Sequence, residues 1–205
     1  MWAYVKDGAI KQTNILQTKL EINPGSYFPV KYANEWTKDQ KEAYGVYEIV
    51  SDTTNYKNPD YYQNTSSTLT FSGGVVKETW GTATARKLGD TNWTQAEIDA
   101  DKAPSGADTD TVNLRGLTYE HKQRISTHAH ALLESSDWYA SRKAEAGTAI
   151  PSAIATYRAA VRTKAGQMET LIGNADTVAK LEALYVYNTD NPPTRPLGEW
   201  PDPVE

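Results

Sequence analysis

Three histidines, an aspartate-rich loop and one pair of arginines are the residues whose types and spacing could do chemistry. His121 and His128 are seven apart, two turns along one face of a helix, which is half of a metal site. His128 and His130, two apart, point in different directions on a helix and cannot share an ion. The chain has 0 Cys to add ligands, so the histidines read as surface or core-edge residues. Asp99, Asp101, Asp108 and Asp110 fall in DADKAPSGADTDT, which is as oxygen-rich as a calcium loop. It lacks the alternating ligands, sixth-position glycine and terminal glutamate of the EF-hand pattern, and a solvated acidic loop is expected. No G-x-S-x-G elbow is present, and Gly73-Gly74 lacks the further glycines and lysine of a phosphate loop. Paired carboxylates for glycoside cleavage meet in space rather than in sequence and stay open here. No catalytic residue, cofactor or metal is therefore expected.

The most suggestive polar set is Tyr157, Arg158 and Arg162. The arginines share one helical face at a spacing of four, where like charges repel unless an anion sits opposite. Glu134, Asp137 and Glu145 on neighbouring segments are the expected counter-ions, with a partner subunit as the alternative. Trp138 reads as a core anchor beside the same loop.

These residues lie in a chain that changes character halfway. Trp2 to Lys11 alternates around Asp7-Gly8, a type I′ hairpin pair. Leu20 to Trp36 reads as loop with a short edge strand. Thr37 and Gln40 form a capping box opening a helix to about Tyr44, stopped by Gly45; Val46 to Val50 reads as a strand, and residues 51–65 as loop with marginal pairing at Tyr61-Tyr62. Leu69 to Thr84 makes a hairpin around Gly73-Gly74. From Lys87 to Asn113 the chain is rich in Gly, Asp, Thr and Pro, with one helical candidate at Thr94 to Asp101. Helical periodicity follows. Ile125, Ala129, Leu132 and Leu133 mark one helix, Trp138 to Ala146 a second ending at Gly147, and a third beginning beside Pro151 carries Ile154, Tyr157, Val161, Ala165, Met168 and Ile172. That third stripe is narrow, as for a helical partner. Asp176 is the expected cap of a fourth helix whose Val178, Leu181, Leu184 and Tyr185 face inward. After Asn188 the proline-rich tail with Trp200 excludes regular structure and reads as an extended arm.

The expected fold class is α+β: a small antiparallel β domain over 1–86, a linker or long surface loop over 87–116, a helical hairpin or bundle over 117–187, and the extended proline-rich tail over 188–205. With 205 residues a core of ordinary size is possible, but 39% hydrophobic residues is low for a compact enzyme and points to surface given over to partners. A net charge of −5 without long runs of one sign gives no footprint for nucleic acid. No run approaches the roughly 20 apolar residues that span a bilayer, so a soluble protein without membrane attachment is expected. The 13 Tyr and 6 Trp against 2 Phe favour side chains that carry a polar handle, as at interfaces.

The second half resembles tail-associated virion proteins and tail-fibre assembly proteins of tailed bacteriophages, particularly marine phages. Leu132, Leu133, Ser136, Asp137 and Trp138, the Arg142 to Gly147 spacing, Ile150-Pro151, and Tyr157 through Arg162 (YRAAVR) carry the likeness, with Arg195-Pro196-Leu197 and Glu199-Trp200-Pro201 in the tail. Trp36 and Gly45 through Val50 resemble the small β-rich head found in front of it. The resemblance implies a non-enzymatic structural protein of the virion, in its tail, fibre or baseplate region. Such a protein is made in the host cytoplasm and is oligomeric in contact with other tail proteins. A transient fibre-assembly chaperone is the alternative and a glycan-acting hydrolase a remote one. Trp138, Tyr157, Arg158, Arg162 and Trp200 are the expected interaction residues.

Overall fold

The computed structural model describes residues 1–13, 20–28 and 35–204, and the chain is mixed α+β. It divides into two compact units, Met1–Thr84 and Ala85–Glu205.

In the first unit, β1 (Trp2–Lys6) and β2 (Ala9–Thr13) form the expected hairpin, with Asp7 at φ 53° and Gly8 at φ 71°. Leu20 to Phe28 makes a second small hairpin, β3 (Leu20–Asn23) and β4 (Ser26–Phe28), around Pro24-Gly25. The rest of that expected loop, 29–34, lies outside the described residues. Helix α1 (Lys38–Ala43) opens on the reciprocal Thr37–Gln40 box. After it come β5 (Val46–Asp52), the two-residue strand β6 (Tyr62–Gln63), β7 (Ser67–Ser72), β8 (Val75–Trp80) and β9 (Thr84–Ala85).

The main sheet has the order β2-β1-β5-β8-β7. Its pairs are antiparallel except β5 with β8, which run parallel, so the sheet is mixed rather than antiparallel throughout. The cause is the loop between β5 and β7. It is long enough to carry the chain past one strand position, and the tight turn at Gly73-Gly74 then folds β8 back into the gap. Burial explains why β8 takes the inner place: Val76, fully buried, sits opposite Ile49 on one side and Phe71 on the other. Ala3, Val5, Ile49 and Val76 form the core of this face, packed by Ile10, Tyr47, Leu69 and Phe71. Each fully buried Val or Ile contributes about 1.5–3 kcal/mol. On the other face Tyr4 pairs with the buried Val46, and the Lys41 ammonium of α1 lies 4.5 Å from the centre of the Trp2 ring.

The link from α1 to β5 is the tightest point of this unit. Val5 N–H donates to Gly45 O at 2.7 Å, and Gly45 sits at φ 80° with its α-carbon so close to the Val5 carbonyl that a β-carbon would overlap it. Gly45→Ala is expected to lower unfolding stability by about 1–3 kcal/mol, read as a shift of the urea midpoint at unchanged slope.

In the second unit, 85–116 is not a free linker. It carries β10 (Thr91–Asn92), α2 (Gln95–Asp99) and β11 (Val112–Leu114), with β10 antiparallel to β11. It also caps the next helix. Helix α3 (Leu117–Glu134) has Gly116 at its N-cap and so no side-chain acceptor for its first N–H groups. The carbonyls of Lys87 and Leu88 accept from Leu117 and Thr118 at 3.0 Å each, and Asp90 accepts from Gly116 N–H at 2.8 Å. Thus composition that reads as loop serves the unpaired donors of a helix end. Arg86 pairs with Glu120, and Arg115 with Asp90.

Helix α5 (Ser152–Asn174) packs along α3. Leu117, His121, Ile125 and Ala129 are the buried positions of α3, and Val161, Met168 and Ile172 of α5 are fully buried. The narrow stripe expected to receive a separate helical partner is therefore filled over its centre and C-terminal half from within the chain. Between them lies α4 (Asp137–Ala146), and α6 (Val178–Ala183) follows, closing the core with Val178 and Leu181. The cap of α6 is Thr177, whose hydroxyl accepts from Lys180 N–H at 3.2 Å, and not Asp176, which pairs with the Lys180 ammonium instead. A capping side chain must belong to the last extended residue, and with the helix starting at Val178 that residue is Thr177.

The tail is likewise not a free arm. Leu197 is 1% exposed, and its N–H donates to Leu184 O at 3.0 Å. Asn188 closes the loop before it, bonding the Thr194 backbone in both directions. Apolar burial of Leu197 seats a segment whose prolines exclude regular structure.

Carboxylates hold the 85–116 segment together. Asp90 is held below the usual carboxylate range chiefly by the Gly116 N–H and then by Arg115, Glu97 chiefly by the Thr94 N–H, and Asp108 chiefly by the Thr111 hydroxyl. Because these folded-state values are depressed, their contribution is present above the ordinary carboxylate range near pH 4 and is lost as pH falls below it. Amide exchange at Gly116, Thr94 and Asp110, corrected for intrinsic rates, is expected to accelerate between pH 4 and pH 2 while α5 amides stay protected.

Candidate functional site

The α3–α4 junction brings the suggestive polar residues together around Arg158. The arginine is 6% exposed. One terminal nitrogen, Nη1, donates to Leu133 O at 3.0 Å and to Ser136 Oγ at 2.6 Å, and Nη2 donates to Asp137 Oδ1 at 2.7 Å. Ser136 Oγ in turn donates to Leu133 O at 2.9 Å. The guanidinium thus adds a donor to a carbonyl at the C-terminal end of α3 that already accepts from the Ser136 N–H and hydroxyl, and it lies beside the first residue of α4. Of the expected counter-ions, Asp137 is the one found. An acid at a helix start is also favourable to the helix dipole, so Asp137 offsets the guanidinium and stabilises α4 at once.

Arg162, one turn along, is exposed and forms no ion pair among the described residues. The two arginines do not act as a pair. A bonded, neutralised Arg158 removes the repulsion that the spacing implied.

Trp138 is not a core anchor: it is 51% exposed. Successive helical residues are turned by about 100°, so with Asp137 directed at Arg158 the next side chain is carried outward. There Trp138 lies against Tyr139, ring centres 3.9 Å apart, and the Arg142 guanidinium covers both rings at 4.7 and 5.2 Å. Helix α4 has no buried residue of its own. Its ten residues are too few to be stable as an isolated helix, and it is held by the Arg158 junction at one end and the left-handed Gly147 at the other.

Tyr157 is half-buried and lines a groove of about 240 Å³ with Ala131, Leu132, Ile154, Pro203 and Val204. Trp200 is half-buried with its ring 5.1 Å from that of His128. Arg158 and Trp138 therefore meet at one joint, Tyr157 and Trp200 lie along the tail groove, and Arg162 stands apart.

The histidines divide by environment. His121 is buried and its Nδ1 is 2.7 Å from the Tyr185 hydroxyl, whereas the His128 ring lies against that of Trp200. No group of three His, Cys, Asp or Glu is placed to hold a metal ion among the described residues. The aspartates of the acidic loop bond locally: Asp108 accepts from Asp110 N–H and the Thr111 hydroxyl, and Asp99 from Gln95. No helix among the described residues is long and apolar enough to cross a membrane.

Sequence reasoning missed a second groove, about 550 Å³, between α5 and the tail, lined by Lys164, Gly166, Gln167, Thr170, Leu171, Pro196 and Leu197. Its only advance signal was the small-residue face of α5, which a stripe-based reading passes over. It also did not identify Ser136 as the hydroxyl under Arg158.

Comparison with known protein families, with curated proteins and with solved structures finds no match to this chain.

Arg158→Met is expected to destabilise the helical unit by about 1–3 kcal/mol, because it removes three charge-assisted hydrogen bonds and leaves Asp137 without its counter-ion. Arg162→Met should change stability by less than about 0.5 kcal/mol. Chemical denaturation followed by helical circular dichroism separates the two.

Proposed function

We propose that the chain is a non-enzymatic structural component of a phage virion, in its tail, fibre or baseplate region, working through protein–protein contacts with other tail proteins. The observation that carries the reading is α4: a helix without fully buried residues whose Trp138 is exposed at the joint, with the half-buried Tyr139 and Arg142 stacked against it. An exposed Trp is among the side chains that most often anchor interfaces. The joint itself, Leu132 through Trp138 with Tyr157 through Arg162, is the segment in which the chain resembles phage tail proteins. In this reading Arg158 works as a positioning residue and Trp138 as a contact.

Mass spectrometry of purified mature particles tests the proposal, and the expected result is that the protein is retained. Presence in the infected cell with absence from mature particles would replace it with the fibre-assembly chaperone. Trp138→Ala should leave the unfolding free energy within about 1 kcal/mol of the parent while reducing incorporation into particles.

A further inference from the structure

The tail is fastened in two unlike ways. Residues 188–199 are tied by directed bonds: Asn188 to Thr194, Leu197 N–H to Leu184 O, Gly198 N–H to Arg195 O, and the Arg195 guanidinium to Glu199 at 2.9 Å. Trp200–Val204 has none. Among the described residues no hydrogen bond or ion pair joins this segment to the helices, and Pro201 and Pro203 carry no N–H to donate. It is held by the Trp200 ring against His128 and by apolar packing along α3 and α5.

The groove beneath this last segment is shallow and lined by small side chains, Ala131, Ser135, Ala153 and Ala160, with Tyr157 at its centre. It is also incompletely filled. About 240 Å³ remains open on the α3 side of Val204 and about 480 Å³ on the side of Ser152 and Ala160. Just before the segment lies Gly198, at φ 78°, the one residue type for which a change of backbone region carries little steric penalty.

We infer that Trp200–Val204 is an exchangeable strap: the occupant for which the Tyr157 groove is built in an assembly is the same segment of a second copy of this chain. The groove already accepts this segment within one chain, so the same apolar chemistry serves between chains. Leaving one groove breaks no hydrogen bond, and the apolar surface uncovered there is covered again in the neighbouring copy. That is the condition under which segment exchange needs little free energy and is driven by concentration. Leu197, fully seated, keeps the base of the strap on its own chain while the part beyond Gly198 crosses over. The inference goes beyond the virion reading and does not depend on it.

The chain has no cysteine, which allows a direct test. Ala153 and Val204 border the same open space, and each is replaced by cysteine in a separate full-length chain. The double variant A153C/V204C, oxidised at high dilution, serves as the control that the strap reaches the groove. Equal amounts of A153C and V204C are then mixed at high concentration and oxidised. Exchange gives A153C–V204C heterodimers well above the random-pairing proportion. If the mixed chains give only random pairing while the double variant closes on itself at every concentration, the strap is a purely internal fastening and the inference is overturned. Ala160→Cys in place of A153C repeats the test should A153C perturb the groove.

Discussion

A single buried guanidinium sets the geometry of the helical unit. Taking an arginine out of water costs several kcal/mol unless its donors find acceptors of good geometry, and Arg158 meets that condition only where α3 ends and α4 begins. The Leu133 carbonyl is there because it lies in the last turn of α3, where it also accepts from Ser136, the Ser136 hydroxyl because the turn follows at once, and Asp137 because it opens the next helix. Were α4 to begin one residue later, the carboxylate would rotate away by about 100° and leave a buried charge without its counter-ion.

The outward face of α4 follows from that joint. A helix with no fully buried residue receives its direction largely from its ends, and here one end is fixed by the ion pair and the other by a left-handed glycine. Trp138 is exposed because its neighbour is engaged. The same logic runs through the unit: α3 takes acceptors from Lys87 and Leu88 since its own N-cap is a glycine, and the tail is seated since Leu197 completes the packing beside α6. In each case an unpaired backbone group or an unfilled apolar space is satisfied by a segment whose composition reads as loop.

In the sheet unit the ordering principle is burial by strand position. The hairpins at Asp7-Gly8 and Gly73-Gly74 follow from local turn chemistry, whereas the place of β8 between β5 and β7 follows from Val76, which is covered on both sides only there. A parallel pair in a sheet otherwise made of hairpins is the consequence.

The amino-acid sequence by itself determined what depends on residues within a few positions of each other: the capping box at Thr37, the short helix near Thr94, the two hairpin turns, the apolar periodicity of α3 and α5, the end of α4 at Gly147, and Asp137 among the candidate partners of Arg158. Only the tertiary structure decided that Arg162 takes no part, that Trp138 faces outward, that the α5 stripe is answered by α3, that 85–116 caps a helix, and that the proline-rich tail folds back. The physical reason is common to these. Local conformation is set by short-range sterics and hydrogen bonds that residue types announce, whereas the partner of a stripe, a charge or an unpaired carbonyl is whichever distant segment satisfies it with the least desolvation, and sequence spacing carries no record of that choice.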